Sequence, residues 1–281
     1  MLIRQALQLA RQSLAESSPT ADLDAQVLLC HVLACNSAHL VAWPEKPLDE
    51  TQRRHFLQLI ERRRQGHPVA HLTGEREFWS MDFLVDESTL IPRPETETLI
   101  EYVLEKHSHQ ASLKLLDMGT GTGAIAIVLA RENPGWQVHA CDISLQAIKL
   151  ADRNRDKHAI NNLTLVESDW FSNIDESDYD LIISNPPYID ADDPHLAQGD
   201  VRFEPASALI SANRGMKDIE HLCAKAKGHL KNAGWLIVEH GYDQAAQVAD
   251  CFTKNGYSEI TQRQDLSGHI RMTAGRNDSQ K

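Results

Sequence analysis

Leu115-Leu116-Asp117-Met118-Gly119-Thr120-Gly121-Thr122-Gly123 decides the reading of this chain. An apolar run ends in an acid, turns through three glycines and opens a helical stretch over 124–131. Glycine lets a backbone bend sharply at a strand end and approach a ligand with no Cβ in the way. The spacing is Gly-x-Gly-x-Gly, not the Gly-x-Gly-x-x-Gly of nicotinamide and flavin sites. Asp117 precedes the first glycine by two residues. A carboxylate there repels a pyrophosphate and suits a ligand carrying both an ammonium and a sulfonium, which is S-adenosyl-L-methionine.

Working outward, Asp142 ends the next apolar strand, after Val138 and Ala140, where an acid accepts both ribose hydroxyls. Asp169 and Trp170 follow the third strand. Asp169 is placed to accept from an adenine amino group and Trp170 to flank the ring, core packing being the alternative for the tryptophan. Strands are expected at 114–118, 137–142, 163–167, 180–184, 235–239, 258–263 and 269–273. Helices between the first several predict an α/β fold, a Rossmann-like and mostly parallel seven-stranded sheet covered on both faces. The last two strands have no helix between them and are expected to form an antiparallel edge hairpin. Residues 276–281 are polar and are expected to fray.

The buried run Leu181-Ile182-Ile183-Ser184 leads into Asn185-Pro186-Pro187-Tyr188. Two prolines stiffen the backbone just past the carboxyl end of a strand, where α/β ligands bind. The Asn185 side-chain oxygen and the Pro186 carbonyl can both face one incoming NH2, and Tyr188 can lie against a planar amide or base. Gripping both N–H bonds of such a nitrogen favours its pyramidal form and frees the lone pair for a sulfonium methyl, with no strong base needed. Together the two motifs point to an amino-group methyltransferase.

Residues 1–66 read as a small helical bundle. Leu2, Ile3, Ala6, Leu7, Ala10 and Leu14 form one stripe. Thr20 or Asp22 is expected to cap a second helix whose apolar positions include Leu23, Val27, Leu28 and Val32. A third surrounds His39-Leu40-Val41, and a fourth runs from about Asp49 to Gln65. Its closing triplet Arg62-Arg63-Arg64 reads as a solvated helix end that offsets the macrodipole, or else as a partner contact. Residues 67–90, with Phe78, Trp79, Met81, Phe83 and Val85, predict a β-hairpin linker ahead of a catalytic domain over 91–281.

The chain has 281 residues and a formal net charge of −12, all of it beyond residue 80, since residues 1–80 are neutral. That sign disfavours a generic nucleic-acid binder. Five cysteines without a Cys-x-x-Cys argue against disulfides and zinc and for a reducing cytoplasm. Fourteen scattered histidines show no metal spacing, and His67 and His71 flank a proline. Cys141 reads as a core residue, and Glu239 as a residue that helps position a loop. No apolar run suits a membrane span, and the amphipathic first 16 residues do not read as a signal peptide.

Asn-Pro-Pro-Tyr after such a core is shared by DNA adenine, ribosomal RNA guanine and protein glutamine N5-methyltransferases. Leu90-Ile91-Pro92-Arg93-Pro94-Glu95-Thr96-Glu97 resembles the signature of the release-factor glutamine methyltransferases, the HemK/PrmC family. Residues 202–209, Gly215-Met216-Lys217-Asp218-Ile219, Glu239-His240-Gly241 and Asp265-Leu266-Ser267-Gly268 are similar to its later segments. The resemblance spans nearly the whole chain. It implies a class I methyltransferase fold that transfers a methyl group from S-adenosyl-L-methionine to N5 of the glutamine in the Gly-Gly-Gln loop of class I peptide release factors. It further implies cofactor along Asp117, residues 119–123, Asp142, Asp169, Trp170 and Asn185. The substrate would be held by Asn185, Pro186, Pro187 and Tyr188, with Arg93, Glu95 and Glu97 close by. Separately, residues 1–66, a neutral helical domain without catalytic motifs, are expected to dock the factor. A ribosomal-protein glutamine, rRNA or DNA is the alternative acceptor. Neither direct nucleic-acid binding, nor a membrane, nor a metal is expected.

Overall fold

The computed structural model describes residues 1–278. They form two compact units, one of residues 1–75 with 197–203 and one of residues 76–196 with the chain from 204 onward.

The first unit holds α1 (Ile3–Leu14), α2 (Ala21–Leu33), α3 (Ser37–Ala42), α4 (Glu50–Arg64) and α5 (Val69–Thr73). The expected α1 stripe is buried through Ile3, Ala6, Ala10 and Leu14. Ile3 and Leu14, shut away this completely, contribute roughly 1.5–3 kcal/mol each, and the two alanines less. On α2 the buried face is Ala25, Leu28 and Leu29, and Leu23 and Val27 are exposed. The reason is angular: at 100° per residue, Leu23 and Val27 lie well off the line through Leu28. Thr20 occupies the cap position of α2, but its hydroxyl donates to Asp24 Oδ1 at 2.9 Å and caps no backbone N–H. At α4, Asp49 accepts from the Gln52 N–H while the Gln52 side chain returns to the Asp49 N–H, closing a capping box.

The arginine triplet departs from its reading as a solvated end. Arg62 and Arg64 are exposed, but Arg63 is buried. Its Nε donates to Asp24 at 2.6 Å and its Nη1 to Asp200 at 3.0 Å, which clips the 197–203 segment into the helical unit. The helical unit therefore extends past the expected boundary at 66, and α5 falls inside the stretch read as linker.

The second unit opens with a hairpin of β1 (Glu75–Phe78) and β2 (Met81–Leu84), turned over Trp79 and Ser80, both at positive φ. There follow α6 (Glu97–His107), β3 (Lys114–Met118), α7 (Ala124–Glu132), β4 (Gln137–Asp142), α8 (Leu145–Lys157), β5 (Leu163–Glu167) and β6 (Tyr179–Ser184). The unit ends with α9 (Lys217–Lys225), β7 (Leu230–Glu239), α10 (Ala245–Lys254), β8 (Tyr257–Gln264) and β9 (Ile270–Asn277). The sheet order is β5-β4-β3-β6-β7-β9-β8. The first five of these strands are mutually parallel, and β9 is antiparallel to both β7 and β8, as expected.

Leu115, Leu116, Met118, Leu181, Ile182 and Ile183 are wholly buried in the central strands, as continuous apolar runs under two helical layers require. Arg276 and Asn277, read as tail, continue the β9 ladder against β7 and β8; residues 279–281 of that tail lie outside the described residues. Strand order reverses between β3 and β6, and the crevice beyond their carboxyl ends is where such sheets bind ligands.

Candidate active site

That crevice holds a cavity of ≈ 360 Å³. Gly119, Thr120, Gly121, Thr122, Asp142, Asp169, Trp170, Asn185 and Pro187 line it, together with Arg93. Residues far apart in sequence thus converge because the β3, β4, β5 and β6 loops all leave the same end of the sheet.

The glycine loop is held from below. The Gly119 and Thr120 N–H groups both donate to the Cys141 carbonyl at 2.9 Å. Gly119 and Gly121 have φ of 73° and 55°, and a Cβ built on Gly119 would meet open space. Gly123 differs from the expectation that it would line the site. At φ 83° its Cβ would lie 2.9 Å from Ile127 Cδ1 and 3.1 Å from Ala151 Cβ, so this glycine serves the packing of α7 against α8.

Asp117 also departs from its expected place. It is 1% exposed and does not line the cavity. Its Oδ2 accepts from the Thr120 hydroxyl at 2.6 Å, so it braces the loop from beneath. Its Oδ1 has no hydrogen-bond partner among the described residues. Burial pushes the carboxyl up to about 7, against the pull of Thr120 and the Ala126 N–H. Asp142 lines the cavity. One oxygen accepts from the Gly121 N–H at 3.0 Å and the other from the Ser144 N–H at 2.9 Å. Burial raises its pKa, and those N–H donors oppose the rise. Trp170 takes φ 48°, a left-handed conformation costly for a non-glycine residue, and Ser168 Oγ donates to its carbonyl at 2.7 Å. Cys141 is buried, as read, and burial pushes its thiol up to about 12.

At the acceptor end, Ser184 Oγ donates to the Met118 carbonyl at 2.7 Å and locks the tips of β6 and β3 together. Asn185 follows, and its Nδ2 donates to Thr96 Oγ1 at 3.1 Å. The Oδ1 acceptor is therefore the end left for a donor in the cavity. Pro186 is buried and, like Tyr188, does not line the cavity, whereas Pro187 does. The Tyr188 hydroxyl donates to Glu239 Oε1 at 3.3 Å, and its ring packs on the core beside β7. Burial and the Glu239 charge push this phenol far above its ordinary range.

The 91–97 segment splits in role. Arg93 reaches the cavity, but its Nη2 is committed to Glu204 Oε2 at 2.6 Å. Glu95 and Glu97 do not line it. Glu97 Oε1 accepts from the Trp79 N–H at 2.9 Å and holds the hairpin tip. A carboxylate at the start of α6 reaches such an N–H readily, and only the folded hairpin places one there.

Sequence reasoning missed Thr89, Thr96, Asn154 and Glu204. Thr89 is 2% exposed, lines the cavity, and its Oγ1 has no hydrogen-bond partner among the described residues. Asn154, fully buried on α8, donates to the Thr122 carbonyl at 2.9 Å and accepts from the Leu84 N–H at 2.7 Å, tying the glycine loop to the hairpin. A lone buried polar residue in an amphipathic helix was the available signal.

A cavity at the switch point of this sheet, floored by a glycine-rich strand end, defines a class I methyltransferase fold. A solved methyltransferase from Pyrococcus furiosus shares it at TM-score 0.53 and 16% identity, covering 82% of this chain and 100% of that one. Residues 5–74 match the PrmC N-terminal domain family and residues 94–215 the Methyltransferase small domain family. The release factor glutamine methyltransferase of Shewanella oneidensis is 46% identical over 98% of this chain and 96% of its own length. That of Vibrio cholerae is 47% identical over 97% and 96%, and that of Escherichia coli 43% identical over 93% and 94%. The chain belongs to the release factor glutamine methyltransferase family.

Proposed function

We propose that this chain transfers a methyl group from S-adenosyl-L-methionine to the side-chain N5 of the glutamine in the Gly-Gly-Gln loop of class I peptide release factors, in the cytoplasm. The observation that carries the reading is the amide of Asn185. With Nδ2 held by Thr96, a hydrogen-bond acceptor is presented at the carboxyl end of β6, beside the glycine-loop cavity. That suits an NH2 group, whose second N–H can go to a neighbouring carbonyl, and not a thiolate, which has no proton to donate.

The cavity fits the cofactor by its own chemistry. Gly119 leaves the space of a missing side chain open, and the Thr89 hydroxyl is buried at the wall without a hydrogen-bond partner. Asp142 would take the ribose hydroxyls, Trp170 would flank the adenine ring with Asp169 near its amino group, and residues 119–122 would cradle the methionine end. Asp117 would act through the loop it braces, as a carboxylate whose ionisation a nearby cation favours. When bound, the cofactor supplies an electrophilic methyl group on sulfur.

The protein's own part is positioning. Asn185 Oδ1 accepts one amide N–H of the glutamine and the Pro186 carbonyl the other, which favours a pyramidal nitrogen with an exposed lone pair. Pro187 keeps that backbone rigid. Arg93, paired to Glu204, shapes the wall of the cavity. Residues 1–66 dock the body of the factor, and the exposed Leu23 and Val27, one turn apart on α2, offer an apolar grip.

The test supplies labelled S-adenosyl-L-methionine with purified release factor, its Gln→Ala loop variant, a ribosomal-protein preparation and DNA. Label in the intact factor alone is expected. Label in nucleic acid or ribosomal protein instead of the factor overturns the reading. Deleting the helical unit should raise KM for the whole factor far more than for a short Gly-Gly-Gln peptide, and an equal effect on both would refute the docking role.

A further inference from the structure

We infer that Gln244 is the positioning residue of the transfer site: one buried side-chain amide clamps the Tyr188 end of the Asn185-Pro186-Pro187-Tyr188 tetrapeptide and thereby sets the direction of the Pro186 carbonyl. The inference deepens the proposed function and rests on it.

Gln244 stands at the cap position of α10, where a serine, threonine, aspartate or asparagine would ordinarily hold a helix N–H. Its side chain caps nothing. It is 6% exposed and joins three loops instead. Oε1 accepts from the Gly241 N–H, just past β7, at 2.8 Å. Nε2 donates to the Tyr188 carbonyl at 2.9 Å and to the Arg214 carbonyl at 3.2 Å. A glutamine amide offers two donors and an acceptor oxygen, and all are engaged. Turned over, it would set its oxygen against two carbonyls and its NH2 against an N–H, so this orientation alone satisfies the three partners.

Gly215 closes against the same carbonyl. At φ 79° a Cβ there would overlap the Tyr188 oxygen and lie 2.6 Å from Gln244 Nε2. Asn213 and Arg214 before it both have φ 56°, a left-handed conformation costly for non-glycine residues, and this turn carries the Arg214 carbonyl to the clamp. Lys217 and Asp218, just beyond it, line the cavity. On the other side of the Tyr188 peptide bond, the Ile189 N–H donates to the Leu209 carbonyl at 2.9 Å. That peptide plane is therefore held at both its carbonyl and its N–H.

The anchors matter because of what lies between them. Ser184 Oγ, bonded to the Met118 carbonyl, fixes the chain just before Asn185. The rings of Pro186 and Pro187 fix their φ angles. With both ends anchored and two rotations frozen, the Pro186 carbonyl between them is left one direction. In the proposed reaction that carbonyl accepts the second N–H of the glutamine. Gln244 does not line the cavity, so it acts through the backbone it holds.

The test uses the full chain and two variants. Gln244→Met keeps the bulk and removes all three bonds. Gly215→Ala leaves the Gln244 amide intact and presses a methyl group on the same carbonyl. In release-factor methylation both should lose kcat by on the order of 10- to 10²-fold, the effect of a misplaced reacting group. For Gln244→Met, KM for the factor and the Kd for S-adenosylhomocysteine should stay near wild type. Independently of activity, the backbone carbonyl carbon resonance of Tyr188 should move in both variants. Near-normal kcat in both, a loss carried by KM and Kd alone, or a Tyr188 resonance that neither substitution moves would overturn the inference. Loss of the fold in both would make this a structural clamp and would equally overturn it. A wild-type enzyme that labels ribosomal protein or nucleic acid instead of the factor would refute the proposed function, and the same variants read on that acceptor would still decide the role of Gln244.

Discussion

Arg93 Nη2 donates to Glu204 Oε2 at 2.6 Å, and the other oxygen of Glu204 accepts from the Ile91 N–H at 3.0 Å. One side chain therefore fixes two points of the 91–97 segment from more than a hundred residues away. The Glu204 side chain is fully buried and that of Arg93 is 29% exposed. Glu204→Ala leaves a buried N–H unpaired, so urea unfolding should show a loss of about 1–3 kcal/mol. Arg93→Met should also lower stability, because it removes the cation paired with a buried carboxylate. Affinity for S-adenosylhomocysteine, measured by calorimetry, should weaken in both, since this segment walls the cavity.

Two glycines of one loop should fail in different ways. Gly119→Ala meets no neighbour, so it should carry only the left-handed backbone cost of about 1–2 kcal/mol. Its methyl group projects into open space on the ligand side, and cofactor affinity should drop. Gly123→Ala drives a Cβ into Ile127 and Ala151, so its melting temperature should fall further than that of Gly119→Ala. Calorimetry and thermal unfolding run on both proteins separate the two effects. Equal stability losses would contradict the packing role of Gly123.

Asp117 predicts a pH dependence of stability. Its ordinary value is 3.8, and burial raises it to about 7 in the folded chain. Between those values the folded state keeps a proton that the unfolded state has released. The stabilisation is complete below the lower value and is lost as pH rises through the upper one. Asp117→Asn, which can still accept from Thr120, should therefore gain relative to wild type on going from pH 5 to pH 8, read as the shift in urea midpoint. Cofactor binding should release a proton near neutrality, because a nearby cation favours the carboxylate. Calorimetry in buffers of different ionisation heat measures that proton, and its absence would separate Asp117 from the cofactor.

Arg63 should behave unlike its neighbours. Its partner Asp24 is 7% exposed at the side chain and Arg63 itself 10%. Arg63→Met strands that carboxylate and should cost about 3–5 kcal/mol, seen as early hydrogen exchange across α2 and α4. Arg62→Met and Arg64→Met should stay within about 0.5 kcal/mol of wild type. Asp200→Asn should cost less than Arg63→Met, because Asp200 is 39% exposed.

Much of this molecule was legible along the chain. The strands Lys114–Met118, Gln137–Asp142 and Leu163–Glu167 have the expected bounds, because a short apolar run between glycine- and acid-rich turns is a local signal. The glycine loop, Asp142, Trp170 and Asn185 could be singled out for a related reason: each stands at or just past a strand end, and the ends of the parallel strands point to one crevice. The sequence alone thus determined the fold class, the position of the crevice and several of the residues that line it.

What it left open depended on partners distant in the chain. Asp117 turns beneath the loop, Glu97 holds the Trp79 turn, and Arg63 is buried against Asp24 and Asp200. Residues 197–203 leave the catalytic unit and pack in the helical one. Asn185 is oriented by Thr96 across 89 residues of sequence. Periodicity reports which face of an element is apolar, but a polar side chain takes its role from whichever donor or acceptor the fold brings within about 3 Å. Only the tertiary structure decides that pairing, and here it separates the groups that touch the cavity from those that hold them in place.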